Sequence, residues 1–265
     1  MADWADLKWT DFSPGRMAQA IAVLPVAAIE QHGPHLPLGT DAMIMEGYLA
    51  RVRELADGAP DIRILPLLQV GTSHEHMDFP GTLSLSPQTL LSVIADLGAS
   101  VARAGCRKIV LLNSHGGNSA ALDIAALELR RLHQMLAVTV SWSRFGYPQG
   151  LFSAQEIRHG IHGGDIETSL MLAFRPQLVR MDLAGDFAPA SLRMEGAFKW
   201  LNAGRPAGFG WMAQDLSTNG AMGNAAIASA EKGIAAAEFG AKAFLELLDD
   251  VAKFDLAALG SLPAG

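Results

Sequence analysis

An α/β fold with one mostly parallel sheet flanked by helices is the fold class that this sequence predicts. Two observations lead there. Short β-rich apolar runs alternate with longer stretches of helical periodicity. The chain has 265 residues, of which 50% are hydrophobic and 18% charged, enough to bury one sizeable core. No repeat, low-complexity segment or linker divides it, so a single domain over residues 1–265 is expected.

The first predicted strand, Ala20–Ala28, is an apolar run interrupted by Pro25 and is about half of what a bilayer span needs. A helix over Thr40–Leu55 follows, with apolar residues three and four apart. Ile62–Val70 reads as the second strand. The next helix, Ser86–Ala104, opens on Ser86-Pro87, a serine N-cap with proline at the first helical position. Lys108–Asn113 is a strand, Asn118–Leu136 a helix, and Ala137–Trp142 the fourth strand. Another helix begins near Gly164 and runs through Glu167, Leu170 and Ala173. Arg175 to Asn224 holds Pro, Gly, Trp200 and Trp211 with little periodicity, and is expected to be an excursion beside the core, a lid or a subunit contact. An Ala-rich helix from about Ala225 to Val251 closes the pattern.

Composition narrows the function. With 20 Lys+Arg against 27 Asp+Glu, a net charge of −7 and no basic cluster, neither nucleic acid nor an anionic membrane is an expected partner. The single cysteine, Cys106, can make neither an internal disulfide nor a thiolate zinc site, so a metal here would be held by oxygen and nitrogen. No transmembrane helix and no secretory signal are expected, and the cytoplasm is the expected compartment.

The eight histidines are the residues to follow. Glu30, His32, His35 and Asp41 lie in the polar segment after the first strand, where ligands bind in open α/β sheets. Glu30 and His32 project to the same side in extended chain, and Asp41 stands near a helix start, where a carboxylate is favoured. His74, Glu75 and His76 follow the second strand; Asn113-Ser114-His115-Gly116-Gly117-Asn118 ends the third. His159 and His162 precede a helix containing Glu167. Glu, His and Asp together suit zinc, manganese or iron. Each has an ordinary alternative: a turn, a cap or a solvated charge. His133 lies in a helical pattern, and Cys106 reads as apolar filler.

On these residues the sequence resembles the creatininase family, in segments spread from about Val23 to Gly233. The matching pieces are Pro25-Val26 through Glu30-Gln31-His32-Gly33-Pro34-His35-Leu36-Pro37-Leu38-Gly39-Thr40-Asp41, then Phe79-Pro80-Gly81-Thr82, Asn113 to Asn118, His162-Gly163-Gly164 with Glu167-Thr168-Ser169, and Ala230-Glu231-Lys232-Gly233. The resemblance implies a single α/β domain, often assembled as a hexamer, with two divalent ions in a cleft. It implies that Glu30 and His115 hold one ion, His32 the other, and Asp41 both. Where creatininase has a metal-binding glutamate two residues after the histidine matching His115, this chain has Gly117. Glu167 then either completes the second ion's shell or holds a ligand from behind.

The activity implied is hydrolysis of a C–N amide bond, in which paired divalent ions activate water and polarise a carbonyl. By resemblance His162 carries a proton and Trp142 matches an aromatic residue near the substrate, while Asn113 or Asn118 orients a ligand or the substrate. The tryptophan expected shortly before His162 is absent, so an amide or formamide other than creatinine is expected. Creatinine itself and a precursor peptide are the alternatives, and a non-catalytic metal-binding scaffold ranks below them. Arg158 and His159 suit a substrate bearing a carboxylate or phosphate. His74, Glu75 and His76 either line the cleft mouth or form a polar surface turn.

Overall fold

The strand that organises the fold is β2 (Ile21–Val26), buried along its whole length. In the computed structural model, which describes residues 1–260, β2 lies in a five-stranded parallel sheet. The strand order is β1 (Ala2–Asp3), β3 (Ile62–Ile64), β2, β4 (Lys108–Asn113), β5 (Leu136–Ser141). Helix α1 (Pro14–Met17) leads into β2.

Alternating side chains of β2 and β4 feed two different cores, because successive residues of a strand face opposite ways. Ile21, Val23, Val110 and Leu112 pack with Tyr48 of α2 (Thr40–Leu55), Leu170 of α6 (Asp165–Phe174) and Phe244 of α9 (Ala230–Lys253). Ala22, Leu24, Ile109 and Leu111 pack with Ile94 of α3 (Pro87–Arg103) and Leu129 of α4 (Ser119–His133). The sheet is thus covered on both faces, and its central strands read as unbroken apolar runs for that reason. Among the described residues no helix is long and apolar enough to cross a membrane.

Several expected boundaries move, each for a local reason. The second predicted strand stops at Ile64 rather than Val70: Pro66 has no amide hydrogen for the ladder. The chain stays beside β2, where the Leu68 amide donates to the Pro25 carbonyl at 3.0 Å. The helix expected to reach Leu136 ends at His133, because Gln134 turns left-handed with φ 54°. Leu136 therefore opens β5, which closes at Ser141, leaving Trp142 in the turn beyond. The last helix starts at Ala230 rather than about Ala225, since Ser229 caps it by accepting from the Lys232 amide. Helix α5 (Ala154–His159), capped by Ser153, fills a stretch to which the sequence pattern assigns no element. The excursion from Arg175 to Asn224 contains regular structure: α7 (Ala190–Ala197), α8 (Ala213–Leu216), and an antiparallel pair of β6 (Asp186–Phe187) with β7 (Gly223–Asn224).

Helix α9 reaches back to position α6. Lys232 Nζ donates to Asp165 Oδ2 at 2.7 Å in the first turn of α6. One residue on, Gly233 lies so close to the Ser169 carbonyl that a methyl group would overlap it. Close packing of this kind costs about 1–3 kcal/mol when violated. Gly233→Ala is therefore expected to lower the urea midpoint of unfolding by a matching amount. An unchanged midpoint would show that α6 and α9 can separate at no cost.

Candidate metal centre

From β2 the chain goes to β3 on one side and returns as β4 on the other, so the crevice beyond the carboxyl ends of β2 and β4 is the switch point of the sheet. Ligands in open α/β sheets bind at such points. Five buried or half-buried acid and imidazole groups converge there. Glu30 and His32 follow β2, and Asp41 stands in the first turn of α2. His115 follows β4, and Glu167 stands in the first turn of α6.

The distances are short. His115 Nδ1 lies 3.1 Å from Glu30 Oε1 and 3.5 Å from Asp41 Oδ2. His32 Nε2 lies 3.6 Å from Asp41 Oδ1 and 3.7 Å from Glu167 Oε2. Glu30, Asp41 and His115 form one group able to hold a metal ion, and His32, Asp41 and Glu167 form a second, with ligand atoms in each within 4.8 Å of one another. Asp41 belongs to both. A third grouping joins Glu30, His32 and His162.

Backbone carbonyls fix which ring nitrogen faces inward. A carbonyl only accepts, so the nitrogen beside it carries the proton. His32 Nδ1 donates to the Glu30 carbonyl at 3.0 Å. His115 Nε2 donates to the Thr72 carbonyl at 2.8 Å, and His162 Nε2 to that of Gln31 at 2.5 Å. In the neutral rings, the other nitrogen points a lone pair at a carboxylate. Lone pair against carboxylate is repulsive unless a proton or a metal cation lies between them. Both oxygens of Glu30, His32 Nε2 and Asp41 Oδ2 are buried without a hydrogen-bond partner, so this donor set fits divalent cations.

The electrostatics show the same demand for positive charge. Burial opposes ionisation of His32, yet Asp41, helped by Glu167 and Glu30, raises its pKa to about 9. Burial likewise opposes charge on His115, but Glu30, Asp41 and Glu75 raise it to about 10. Burial would raise Glu30, but the neighbouring histidines, His115 foremost, hold it well below the usual carboxylate range. Burial pushes Glu167 up to about 7 and Asp41 upward too. His162 is held neutral by burial, with His32 and His76 adding to the effect.

Above the cluster lies a cavity of about 350 Å³ lined by His115, Glu167, Tyr48, Trp142, Arg144 and Tyr147 among others. Trp142 stacks on Tyr48 with ring centroids 4.1 Å apart, and its buried Nε1 has no partner. The structure thus brings Glu30, His32, Asp41, His115, Glu167, His162 and Trp142 together. Four other candidate residues are elsewhere. Arg158 and His159 are both held by Glu195, at 2.7 Å each, and line a separate cavity of about 450 Å³. Asn118 is fully buried: its amide donates to the Ala27 carbonyl and to Asn113 Oδ1, and its oxygen accepts from the Thr72 amide at 2.8 Å. It is a clamp between loops, and its hydrogen-bonding capacity is already engaged. His35 bonds Thr168 on α6, outside the cluster.

Of the two readings open for His76, cleft mouth or surface turn, the structure favours the first: it is buried with Nε2 3.5 Å from Glu30 Oε1. Sequence reasoning missed two other groups. Arg144 is the cation in the cavity wall, two residues past Trp142 in the turn beyond β5. Tyr48 carries no signal, since it reads as a core residue of α2.

The family model described as creatininase, creatinine amidohydrolase, matches residues 5–248. The chain is 32% identical to the creatinine amidohydrolase of Pseudomonas putida over 249 residues, 86% of this chain and 88% of that one. It is 34% identical over 174 residues to the mycofactocin precursor peptide peptidase of Mycolicibacterium smegmatis, 64% of each chain. A solved structure described as "Creatininase Mn" superposes with a TM-score of 0.74 at 28% identity, covering 94% of this chain and 97% of that one. A mutant creatininase of "Zn-Zn type" superposes equally well. This chain belongs to the creatininase family of amidohydrolases.

The position of Asn118 makes a testable distinction. Removing its amide leaves buried backbone groups unpaired, each costing about 1–3 kcal/mol. Asn118→Ala is expected to lower stability to chemical denaturation by at least that much; a fully stable variant would restore Asn118 as a candidate substrate contact.

Proposed function

We propose that this protein is a dinuclear metal-dependent amidohydrolase that cleaves the C–N bond of a small cyclic amide, linear amide or formamide. The observation that carries this reading is the sharing of Asp41 between two sets of converging, partnerless ligand atoms. Glu30 and His115 would hold one divalent ion, His32 and Glu167 the other, and Asp41 would face both. Zinc, manganese and iron suit such donors. Bound there, the ions supply Lewis acidity toward a carbonyl oxygen and lower the pKa of water.

The protein's own groups do the rest. His162, left over once the two ligand sets are filled, keeps Nδ1 free as a proton acceptor while the Gln31 carbonyl fixes its tautomer. It takes a proton from the attacking water and returns it to the departing nitrogen. Trp142, locked flat against Tyr48, forms an apolar wall for the substrate. Arg144 stands where a carboxylate on the substrate would be received. Peptide cleavage is a second reading, favoured by Ile161, which lines both the cavity above the cluster and the one beside Arg158 and so leaves room for a longer chain. A homo-oligomer, up to the hexamer of the resemblance, is supported by the exposed Phe198, Trp200 and Leu201 of the excursion.

The test is metal analysis with an assay panel of creatinine, hydantoins, lactams, formamides and short peptides. Wild type is expected to carry two divalent ions per chain and turn over one class. Asp41→Asn is expected to lose metal and activity together. His162→Ala is expected to keep its metal while kcat falls about 10²–10⁴-fold, the range for a lost proton carrier. Wild type carrying less than one ion per chain would sink the reading, as would full activity after chelation.

A further inference from the structure

We infer that Glu75 is a positioning residue for the metal centre: its carboxylate backs His115 from the side away from the ligand cluster, through a gap that exists because position 117 has no side chain. The inference rests on the metal-binding reading above. Glu75 sits in the turn His74–His76, between β3 and α3. Its Oε1 lies 3.6 Å from His115 Nε2, and its side chain is 20% exposed. Among the described residues it has no other ion-pair partner. A mostly buried carboxylate with a single imidazole beside it is expensive unless that imidazole carries positive charge or binds a cation.

The loop that presents it is firmly tied. Asn118 holds the Thr72 amide, Ser84 Oγ holds the Ser73 amide at 2.9 Å, and the Leu85 amide donates to the Gly71 carbonyl at 2.8 Å. The same loop supplies the Thr72 carbonyl that accepts from His115 Nε2. A Cβ at position 117 would lie 2.5 Å from Glu75 Oε1 and 2.5 Å from that carbonyl, and would also strike His115 Nε2. Gly117 is thus the opening through which carbonyl and carboxylate together reach the ring. A carboxylate behind a metal-binding histidine orients the ring and raises the basicity of the nitrogen on the other side. Here that nitrogen is Nδ1, the one facing Glu30 and Asp41.

The experiment is a zinc titration of metal-free protein against a chromophoric chelator, for wild type, Glu75→Gln and Glu75→Asp, with Tm measured before and after loading. Loss of such a partner typically weakens metal binding about 10–100-fold. Glu75→Gln is expected to weaken one of two zinc affinities by that factor and spare the other, while the metal-free protein keeps a cooperative unfolding transition. Glu75→Asp, which keeps the charge one carbon farther off, is expected to lie between. A general folding defect would move both affinities and abolish the metal-free transition, and would overturn the inference. So would a Gln variant within twofold of wild type, or, should that variant not fold, an Asp variant with wild-type affinities. Wild type that takes up no zinc would overturn the metal-binding reading as well.

Discussion

The structure is organised around one electrostatic constraint: Glu30 and Asp41, fully buried carboxylates, face the lone pairs of His32 and His115. Such a cluster is unstable in a low-dielectric interior unless positive charge enters it. Protons can supply the charge, and the raised pKa values of His32 and His115 show how strongly the site holds them. Metal ions supply more charge with fewer particles. The rest of the fold has to hold four like-charged or mutually repelling groups within reach of one another.

That work is divided among elements with no sequence proximity. The switch point between β2 and β4 brings the Glu30 loop beside the His115 loop. Helix α2 presents Asp41 and helix α6 presents Glu167 from their first turns, where the exposed backbone amides favour a carboxylate. Three carbonyls, those of Glu30, Gln31 and Thr72, fix the orientation of three imidazoles. Rigid backbone therefore sets the direction of the ring nitrogens, so the ligands need little rearrangement to receive a cation.

Much of this was legible in the sequence. The helices Thr40–Leu55 and Pro87–Arg103 and the strand Lys108–Asn113 follow from periodicity and capping residues, which act locally. The acid and imidazole groups stood out because only 18% of the chain is charged and these groups recur at strand ends. What escaped depends on contacts between distant segments. Asn118 looks like a polar residue beside a catalytic histidine, and nothing nearby in sequence says that Ala27 and Thr72 already occupy its amide. Arg158 and His159 look available for an anion until Glu195, some 36 residues on, engages both. For His76 the sequence leaves cleft mouth and surface turn equally open, and only the folding of its loop inward against Gln31 and Glu30 decides between them.

The docking of α9 on α6 bears on the order in which a growing chain can finish its centre. Glu30, His32, Asp41 and His115 all lie in the first half of the sequence, and their strands can pair as they emerge. Glu167 comes later, and the helix that presents it is braced by Lys232 and Gly233. A nascent chain halted before Ala230 would therefore display most of its cation-seeking groups without the brace for the last. The group of Glu30, Asp41 and His115 can therefore close while the polypeptide is half made, whereas the group that includes Glu167 waits for the C-terminal helix.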